Sequence, residues 1–263
     1  MYRFHDLRIN RRVDQERNEL PIEAFNYAGH WLDREVDGYT TLVTSGRHTF
    51  ERQVNSANRV GDGATYLSSR LETRKIEVTF FLASDTIDEY NERLDKLQAI
   101  LSQPNQEFYF ADDQAYRFTG TVTELSLDND TLRSTGKITI EVGDPFRYGR
   151  EITVSGNGSS IKVANAALTY EQTPERLTFT PSTTVANLTI SCGGKAIRLT
   201  QGVPAGQPVA IDFYGLTVTI NRVESMMAVA LSSNLGDFYI KDGSTITFNT
   251  SGHYELIYEV KKL

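Results

Sequence analysis

Short alternating runs of residues in the second half of the chain constrain its fold more than any other feature. Runs such as RLTFT, KAIRLT, LTVTINR and STITFN recur about every ten residues, with Gly, Asn, Asp or Pro between them. No helical period of apolar residues interrupts them. This spacing predicts an all-β sandwich of the galectin-like or jelly-roll type for residues 149–263.

The first half combines strands with one long helix. KIEVTFFL (Lys75–Leu82) alternates Ile, Val and Phe with Glu and Thr, which predicts a strand with one buried face. The next segment, SDTIDEYNERLDKLQAILSQP, predicts a helix with Ser84 or Asp85 as N-cap and Pro104 beyond its end. The expected class is therefore mainly β, with an α+β first half. The apolar stripe of this helix comprises Ile87, Tyr90, Leu94, Leu97 and Leu101.

Two further hairpins are expected in the first half. AYRFTGTVTELSL and LRSTGKITIEV flank DNDT and predict a long β-hairpin. Residues 128–130 are Asp-Asn-Asp, but the Gly and Glu of a calcium loop are absent, so a turn is favoured. Residues 44–75 are polar and contain RHTFERQV and a Gly-Asp-Gly turn, which predict an extended arm. No Lys-Ser/Thr follows this Gly-Asp-Gly, so a phosphate loop is not favoured.

The stretch GDPFRYG (residues 143–149) ends the last strand of the first half. Proline has no amide hydrogen to donate and restricts the residue before it, so Asp144-Pro145 stops a strand. A flexible connection is expected just beyond, at SGNGSS (residues 155–160). We therefore expect domains at residues 1–148 and 149–263.

The distribution of charge supports this boundary. Residues 1–148 hold 18 Lys and Arg against 25 Asp and Glu, whereas residues 149–263 hold 9 against 9. An acidic first half argues against nucleic acid as the main partner. The sequence shows no membrane-length apolar segment and no signal peptide, so synthesis in a cytoplasm is expected. The single cysteine, Cys192, offers neither an intramolecular disulfide nor a metal site.

Catalytic motifs are lacking. The four histidines are scattered, HExxH and GxSxG do not occur, and Asp112-Asp113 lies in a loop without an evident nucleophile. Two carboxylates converging from distant strands remain as a glycosidase alternative. The sequence otherwise predicts a protein that is not an enzyme and that needs no cofactor or metal.

Three stretches, in this order, carry a family resemblance. DGATYLSSRLETRKIEVTFFL leads from a Gly-rich turn through an Arg into a strand, FYFADDQAYRFTGTV follows the helix, and GDPFRYG ends the module. Together they resemble the distal tail proteins of phages with long, non-contractile tails. The resemblance extends along nearly the whole chain. The resemblance marks a domain junction at Asp144, Pro145, Phe146 and Tyr148.

The resemblance implies an N-terminal belt domain that closes into a hexameric ring and a β-sandwich outside that ring. The ring would join the tail tube to the tail tip in the virion. The implied partners are the tail tube protein, the tape-measure protein, the tail-tip hub protein and, in some phages, receptor-binding proteins. Neither a nucleic acid nor a membrane is an expected partner.

The arm at residues 44–75 is the candidate ring interface. It carries six Lys and Arg against three Asp and Glu, which leaves a net of −10 on the rest of the first half. A basic arm on an acidic neighbour suits head-to-tail contacts between identical subunits; solvated arginines are the alternative. The candidate residues are Arg47, Phe50, Arg52, Arg59 and Arg70.

A carbohydrate-binding module is the rival function, because the second half has a suitable architecture. Sugar sites usually present exposed aromatic rings. The only tryptophan, Trp31, lies in the first half, so Tyr214, Phe238 or Tyr239 would have to serve instead.

Overall fold

The structure, a computed structural model, describes residues 20–128 and 131–263. These residues form mostly β-structure with one long helix, as the sequence predicts. The chain divides into two compact units, here called the first unit, which ends at Arg147, and the second unit, Tyr148–Lys262. Within the described ranges no helix has the length and apolar character needed to span a membrane.

The first unit is built on one antiparallel sheet of seven strands and a separate two-stranded hairpin. The elements are β1 (Phe25–Tyr27), β2 (His30–Trp31), α1 (Leu32–Glu35), β3 (Tyr39–Ser45), β4 (Arg52–Asn58), β5 (Ala64–Leu71), β6 (Arg74–Ala83), α2 (Ile87–Leu101), β7 (Gln106–Phe110), a 3₁₀ turn (Ala111–Asp113), β8 (Phe118–Leu127) and β9 (Arg133–Val142). The order in the large sheet is β2-β1-β7-β8-β9-β6-β3, and the hairpin consists of β4 and β5.

Strand β6 lies between β3 and β9 and supplies much of the core of this unit. Ile76, Val78, Phe80 and Leu82 are fully buried, which confirms the alternation in KIEVTFFL. Side chains on one face of a strand point the same way, so these four pack together with the aromatic residues of β1 and β7.

Helix α2 confirms the long amphipathic helix but not its start. Thr86 is the N-cap, and its Oγ1 accepts a hydrogen bond from the amide of Glu89 at 3.2 Å. The expected caps were wrong, because the Ser84 hydroxyl donates to the carbonyl of Thr86 instead. The inner face of the helix is Tyr90, Leu97 and Leu101, which are buried, and Leu94, which is partly buried; Ile87, in the first turn, is 69% exposed.

The hairpin of β8 and β9 is also confirmed. Its strands pair from Thr121 opposite Glu141 to Leu127 opposite Gly136, with one irregularity after Val122. The tip residues 129 and 130 lie outside the described residues. In the part of the chain that the structure describes, no three His, Cys, Asp or Glu side chains form a metal-binding group.

The second unit has the predicted β-sandwich or half-barrel architecture. Its strands are β10 (Arg147–Lys162), β11 (Arg176–Pro181), β12 (Leu188–Cys192), β13 (Lys195–Leu199), β14 (Val209–Asp212), β15 (Thr217–Ile220), β16 (Val223–Glu224) and β17 (Thr245–Lys262), with a 3₁₀ turn at Met226–Ala228. Its sheet has the order β13-β12-β17-β11-β14-β15-β16, and β10 pairs with β17. Phe179 and Phe248 stack in its core with ring centroids 4.0 Å apart.

The expected flexible connection at residues 155–160 is wrong. SGNGSS lies inside β10, which pairs with β17. A Cβ on Gly156 would lie 2.6 Å from the hydroxyl oxygen of Tyr254, so this glycine allows the strand to pass close to that ring. Small polar residues are typical of loops, but here pairing with a long neighbouring strand decides the structure.

Candidate functional site

The hairpin of β4 and β5 is the most exposed element of the first unit. Every residue of β4 is exposed, and among the described residues the two strands pair only with each other. Pairing runs from Arg52 opposite Leu71 to Asn58 opposite Ala64, and it shifts register between Asn55 and Ser56. The strand expected within RHTFERQV therefore begins at Arg52.

The apolar side chains of the paired residues Val54, Tyr66 and Leu71 share one face of this hairpin, where they lie beside polar ones. Residues paired across an antiparallel ladder lie on the same face, so the register assigns Val54, Tyr66 and Leu71 to one face. Val54 and Tyr66 are 55% and 63% exposed. We call Val54, Tyr66 and Leu71 the apolar face. Polar cross-strand hydrogen bonds occur on both faces: from Arg52 to Ser69 on the face of Val54, and from Asn55 to Ser68 and Arg70 to Gln53 on the opposite face.

The hairpin carries no net charge. Between residues 48 and 73 its three arginines are matched by Glu51, Asp62 and Glu72. The basic excess expected for the arm came from Arg47, Arg74 and Lys75 at its two ends, and the structure places Arg47 and Arg74 inside the first unit, 9% and 4% exposed. A basic arm is therefore not what the hairpin offers to a neighbour.

Arg47 differs from the other candidate interface residues. Its guanidinium binds the Asp112 carboxylate through two hydrogen bonds of 2.6 Å and lies 4.5 Å from the centre of the Phe110 ring. Its charge is thus already paired within the first unit. Phe50 is 56% exposed, and Arg52, Arg59 and Arg70 are also exposed; their interface role stays a prediction.

Arg47 belongs to a group of charges at the root of the hairpin. Arg74 Nη1 donates to the carbonyl of Arg47 at 2.6 Å, and Arg147 Nη1 donates to Asp113 Oδ2 at 2.5 Å. We call Arg47, Arg74, Arg147, Asp112 and Asp113 the arginine cluster. Sequence reasoning missed it, because its ion pairs join residues 65 and 34 positions apart.

Aromatic rings and charges determine the electrostatics of the cluster. Arg74 and Arg147 lie over the rings of Phe118 and Tyr116, at 5.5 and 5.4 Å from the ring centres. Hydrogen bonds from Arg47 hold the pKa of Asp112 below its usual range. Burial, together with the nearby charge of Arg147, lowers the pKa of Arg74.

The residues of the predicted junction form a turn between two strands. β9 ends at Val142, and the Asp144 carboxylate accepts a hydrogen bond from the amide of Phe146 at 3.1 Å, across Pro145. Tyr148 already lies in β10. An Asx turn of this kind replaces the ladder hydrogen bonds that proline cannot make.

The structure weakens the rival hypothesis that the chain is a carbohydrate-binding module. Phe238 is fully buried and stacks on Phe213, so it offers no platform. Trp31 packs edge-on against Tyr109 at 5.3 Å. Tyr239 is 41% exposed and Tyr214 is 96% exposed. One fully exposed ring is a narrow basis for recognising a sugar.

Two family models match the chain, one in each unit. The model described as phage tail protein RIFT-related domain matches residues 40–142, and the model described as siphovirus-type tail component, C-terminal domain, matches residues 168–261. The chain belongs to the siphovirus distal tail protein family. It is thus a structural protein of the distal tail or baseplate hub of siphophages and a component of the virion.

One solved structure agrees with this family at the level of the fold. The SPP1 Dit (gp 19.1) protein, described as a paradigm of the hub adsorption apparatus in phages that infect Gram-positive bacteria, is 17% identical, with a TM-score of 0.76 over 92% of this distal tail protein and 100% of that chain. A chain of the phage P2 baseplate is 11% identical, with a TM-score of 0.40 over 84% of this distal tail protein and 90% of that chain. No curated protein sequence matches the chain.

Proposed function

We propose that this chain assembles into a hexameric ring that joins the phage tail tube to the tail tip and its adsorption apparatus. Family membership supports this role, and the observation that carries it is the exposed hairpin of β4 and β5 with its apolar face. A two-stranded hairpin is at best marginally stable in water, so a long exposed one gains stability by packing on another surface.

In this proposal the hairpin of one copy packs on the next copy in the ring. Identical subunits that meet head to tail close into a ring when the rotation between them allows it. Phe50 and the apolar face supply the buried contacts, with the exposed edge of β3, where Leu42 and Val43 are 49% and 51% exposed, as the accepting surface.

Charge has a secondary part in this interface. The hairpin has no net charge and Arg47 is paired with Asp112, so a basic arm does not drive assembly. Arg52, Arg59 and Arg70 lie at the rim, where an exposed ion pair contributes roughly 0.2–1 kcal/mol. Their main effect is on orientation and on the rate of association.

The two units have separate roles in the proposal. Residues 1–148 form the belt of the ring and residues 149–263 lie outside it, with the junction at Asp144, Pro145, Phe146 and Tyr148. The proposed partners are the tail tube, tape-measure and tail-tip hub proteins, with receptor-binding proteins in some phages. The chain is synthesised and assembled in the host cytoplasm, and its role is structural, not enzymatic.

Mass photometry and negative-stain microscopy of the full chain test the ring. The double variant Val54→Glu, Tyr66→Glu places two charges on the apolar face and should abolish rings while the circular dichroism spectrum stays unchanged. The matched control, Asn55→Glu with Ser68→Glu on the opposite face, should retain them. Equal ring populations in the two double variants would refute the hairpin interface, and a wild-type chain that stays monomeric at high concentration would refute the ring.

A further inference from the structure

Arg74 has an unused hydrogen-bonding edge inside the arginine cluster. The residue begins β6 and is 4% exposed, and its Nη1 donates a hydrogen bond to the carbonyl of Arg47. Its Nε and Nη2 atoms are buried and have no hydrogen-bond partner among the described residues. These two nitrogens form one edge of the planar guanidinium, and such an edge fits the two oxygens of a carboxylate or phosphate.

The charges of the cluster do not balance. Asp112 pairs with Arg47 and Asp113 pairs with Arg147, which leaves Arg74 without a carboxylate among the residues of the cluster. Within the cluster, three arginines and two aspartates sum to one positive charge; the Glu23 carboxylate also acts on Arg47, but its hydrogen bonds go to Thr44 and it does not pair with Arg74. A buried charge without a partner is strongly unfavourable, and so is a buried donor without an acceptor.

Arg147 adds to this imbalance. Its Nε is also buried and has no hydrogen-bond partner in the part of the chain that the structure describes, and its charge disfavours the charged form of Arg74. An anion beside Arg74 would therefore gain two directed hydrogen bonds and relieve the repulsion between two arginines. The guanidinium carbon of Arg74 lies over the Phe118 ring, 5.5 Å from its centre, and this cation–π contact favours the charged form that would bind an anion.

We propose that the arginine cluster binds one anion, two oxygens of which accept hydrogen bonds from Nε and Nη2 of Arg74. The chemical class is a carboxylate or a small oxyanion such as phosphate or sulfate. The cluster is partly open to solvent, because the side chains of Asp112, Asp113 and Arg147 are 28%, 32% and 17% exposed. The site does not depend on the proposed ring.

Thermal unfolding of the full chain at low protein concentration tests the site. Sodium sulfate is added while sodium chloride keeps the ionic strength constant, and the wild type is compared with Arg74→Lys, which keeps the charge but loses the fork. Arg52→Lys, on the exposed hairpin, is the matched control. We expect a saturable rise in Tm, larger by about 2 °C or more in wild type and Arg52→Lys than in Arg74→Lys. The general salting-out effect of sulfate does not saturate and is common to all three.

A second measurement keeps the test decisive if Arg74→Lys does not fold. Isothermal titration calorimetry of the wild type with sulfate should give a saturable signal that acetate competes away. Absence of that signal, or an equal rise in Tm for a folded Arg74→Lys, would overturn the proposal. A third result would also overturn the proposal: sulfate does not stabilise the wild type, and Arg74→Met is more stable than the wild type. The unpaired guanidinium of Arg74 would then only destabilise the fold.

The source of the anion can be distinguished in the same system. If another protein chain supplies a carboxylate on assembly, sulfate stabilises the monomer but leaves the Tm of the assembled protein unchanged. If a free anion is the ligand, sulfate raises the Tm of both. Either result supports the site.

Discussion

Arg47 and Asp112 tie the entry of the hairpin to a 3₁₀ turn 65 residues further along the chain, through two parallel hydrogen bonds of 2.6 Å. The neighbouring Gly46 has a φ of +85°, and a Cβ there would lie 2.1 Å from the carbonyl oxygen of Lys75. The two ends of the hairpin thus pass close together, and only glycine fits without a clash. The ion pair and the glycine together fix where the hairpin leaves the first unit.

Replacing Arg47 should destabilise the first unit. Arg47→Ala removes a bidentate, mostly buried partner and leaves the Asp112 carboxylate unpaired, so we expect a loss of about 2–4 kcal/mol in the free energy of unfolding. Urea denaturation measures this loss. Arg52→Ala, which removes an exposed arginine from the hairpin, is the control and should change stability by less than about 0.5 kcal/mol. Equal effects of the two substitutions would contradict the pairing.

The same pair predicts a dependence of stability on pH. Arg47 lowers the pKa of Asp112 in the folded protein. As the pH falls, the Asp112 carboxylate therefore binds a proton in the unfolded chain before it does so in the folded protein. The stabilising contribution is full above the unfolded pKa, about 4 for aspartate, and is lost as the pH falls through the folded value. Denaturation of wild type and Asp112→Asn between pH 6 and pH 2.5 should show a stability difference that shrinks at low pH. A constant difference would rule out this linkage.

Local periodicity predicted the elements whose burial follows from neighbouring residues. β6 and the inner face of α2 were found because Ile76, Val78 and Phe80 alternate, and because Tyr90, Leu97 and Leu101 recur at the helical period. The start of α2 was misplaced because Ser84, Asp85 and Thr86 are all good N-caps, so the sequence alone does not choose among them.

Contacts between distant residues were not predictable in this way. The sequence placed Arg47 and Arg74 in an exposed arm because tertiary packing determines their partners. Asp112, the partner of Arg47, lies outside the arm, and Arg74 binds the carbonyl of Arg47 at the other end of the arm. Residues 155–160 read as a linker because Gly, Ser and Asn favour loops, whereas β17 supplies the strand partner that makes them β-structure. The missed features of the candidate site share this long-range origin.

The buried stripe of α2 supplies a matched pair of substitutions. Leu97 is fully buried, so Leu97→Ala should cost about 2–5 kcal/mol through lost transfer energy and a cavity. Ile87 belongs to the same sequence stripe but is 69% exposed, so Ile87→Ala should cost less than about 1 kcal/mol. Denaturant unfolding followed by circular dichroism measures both. Similar losses for the two variants would show that the first turn of the helix is packed.

Limited trypsin digestion should distinguish the hairpin tip from the junction between the units. Arg59 lies at the turn of the hairpin, with exposed residues on both sides and one backbone hydrogen bond, from its amide to the Gly63 carbonyl at 3.3 Å. Arg150 and Lys162 lie in β10, which is paired with β17 and resists the local opening that proteolysis requires. Among the sites in the described residues, Arg59 should therefore be cut first, and Arg59→Gln should slow the appearance of the first fragments several-fold. Mass spectrometry identifies the cleaved bond, and a first cut after Arg150 or Lys162 would mean that β10 opens more readily than the hairpin tip.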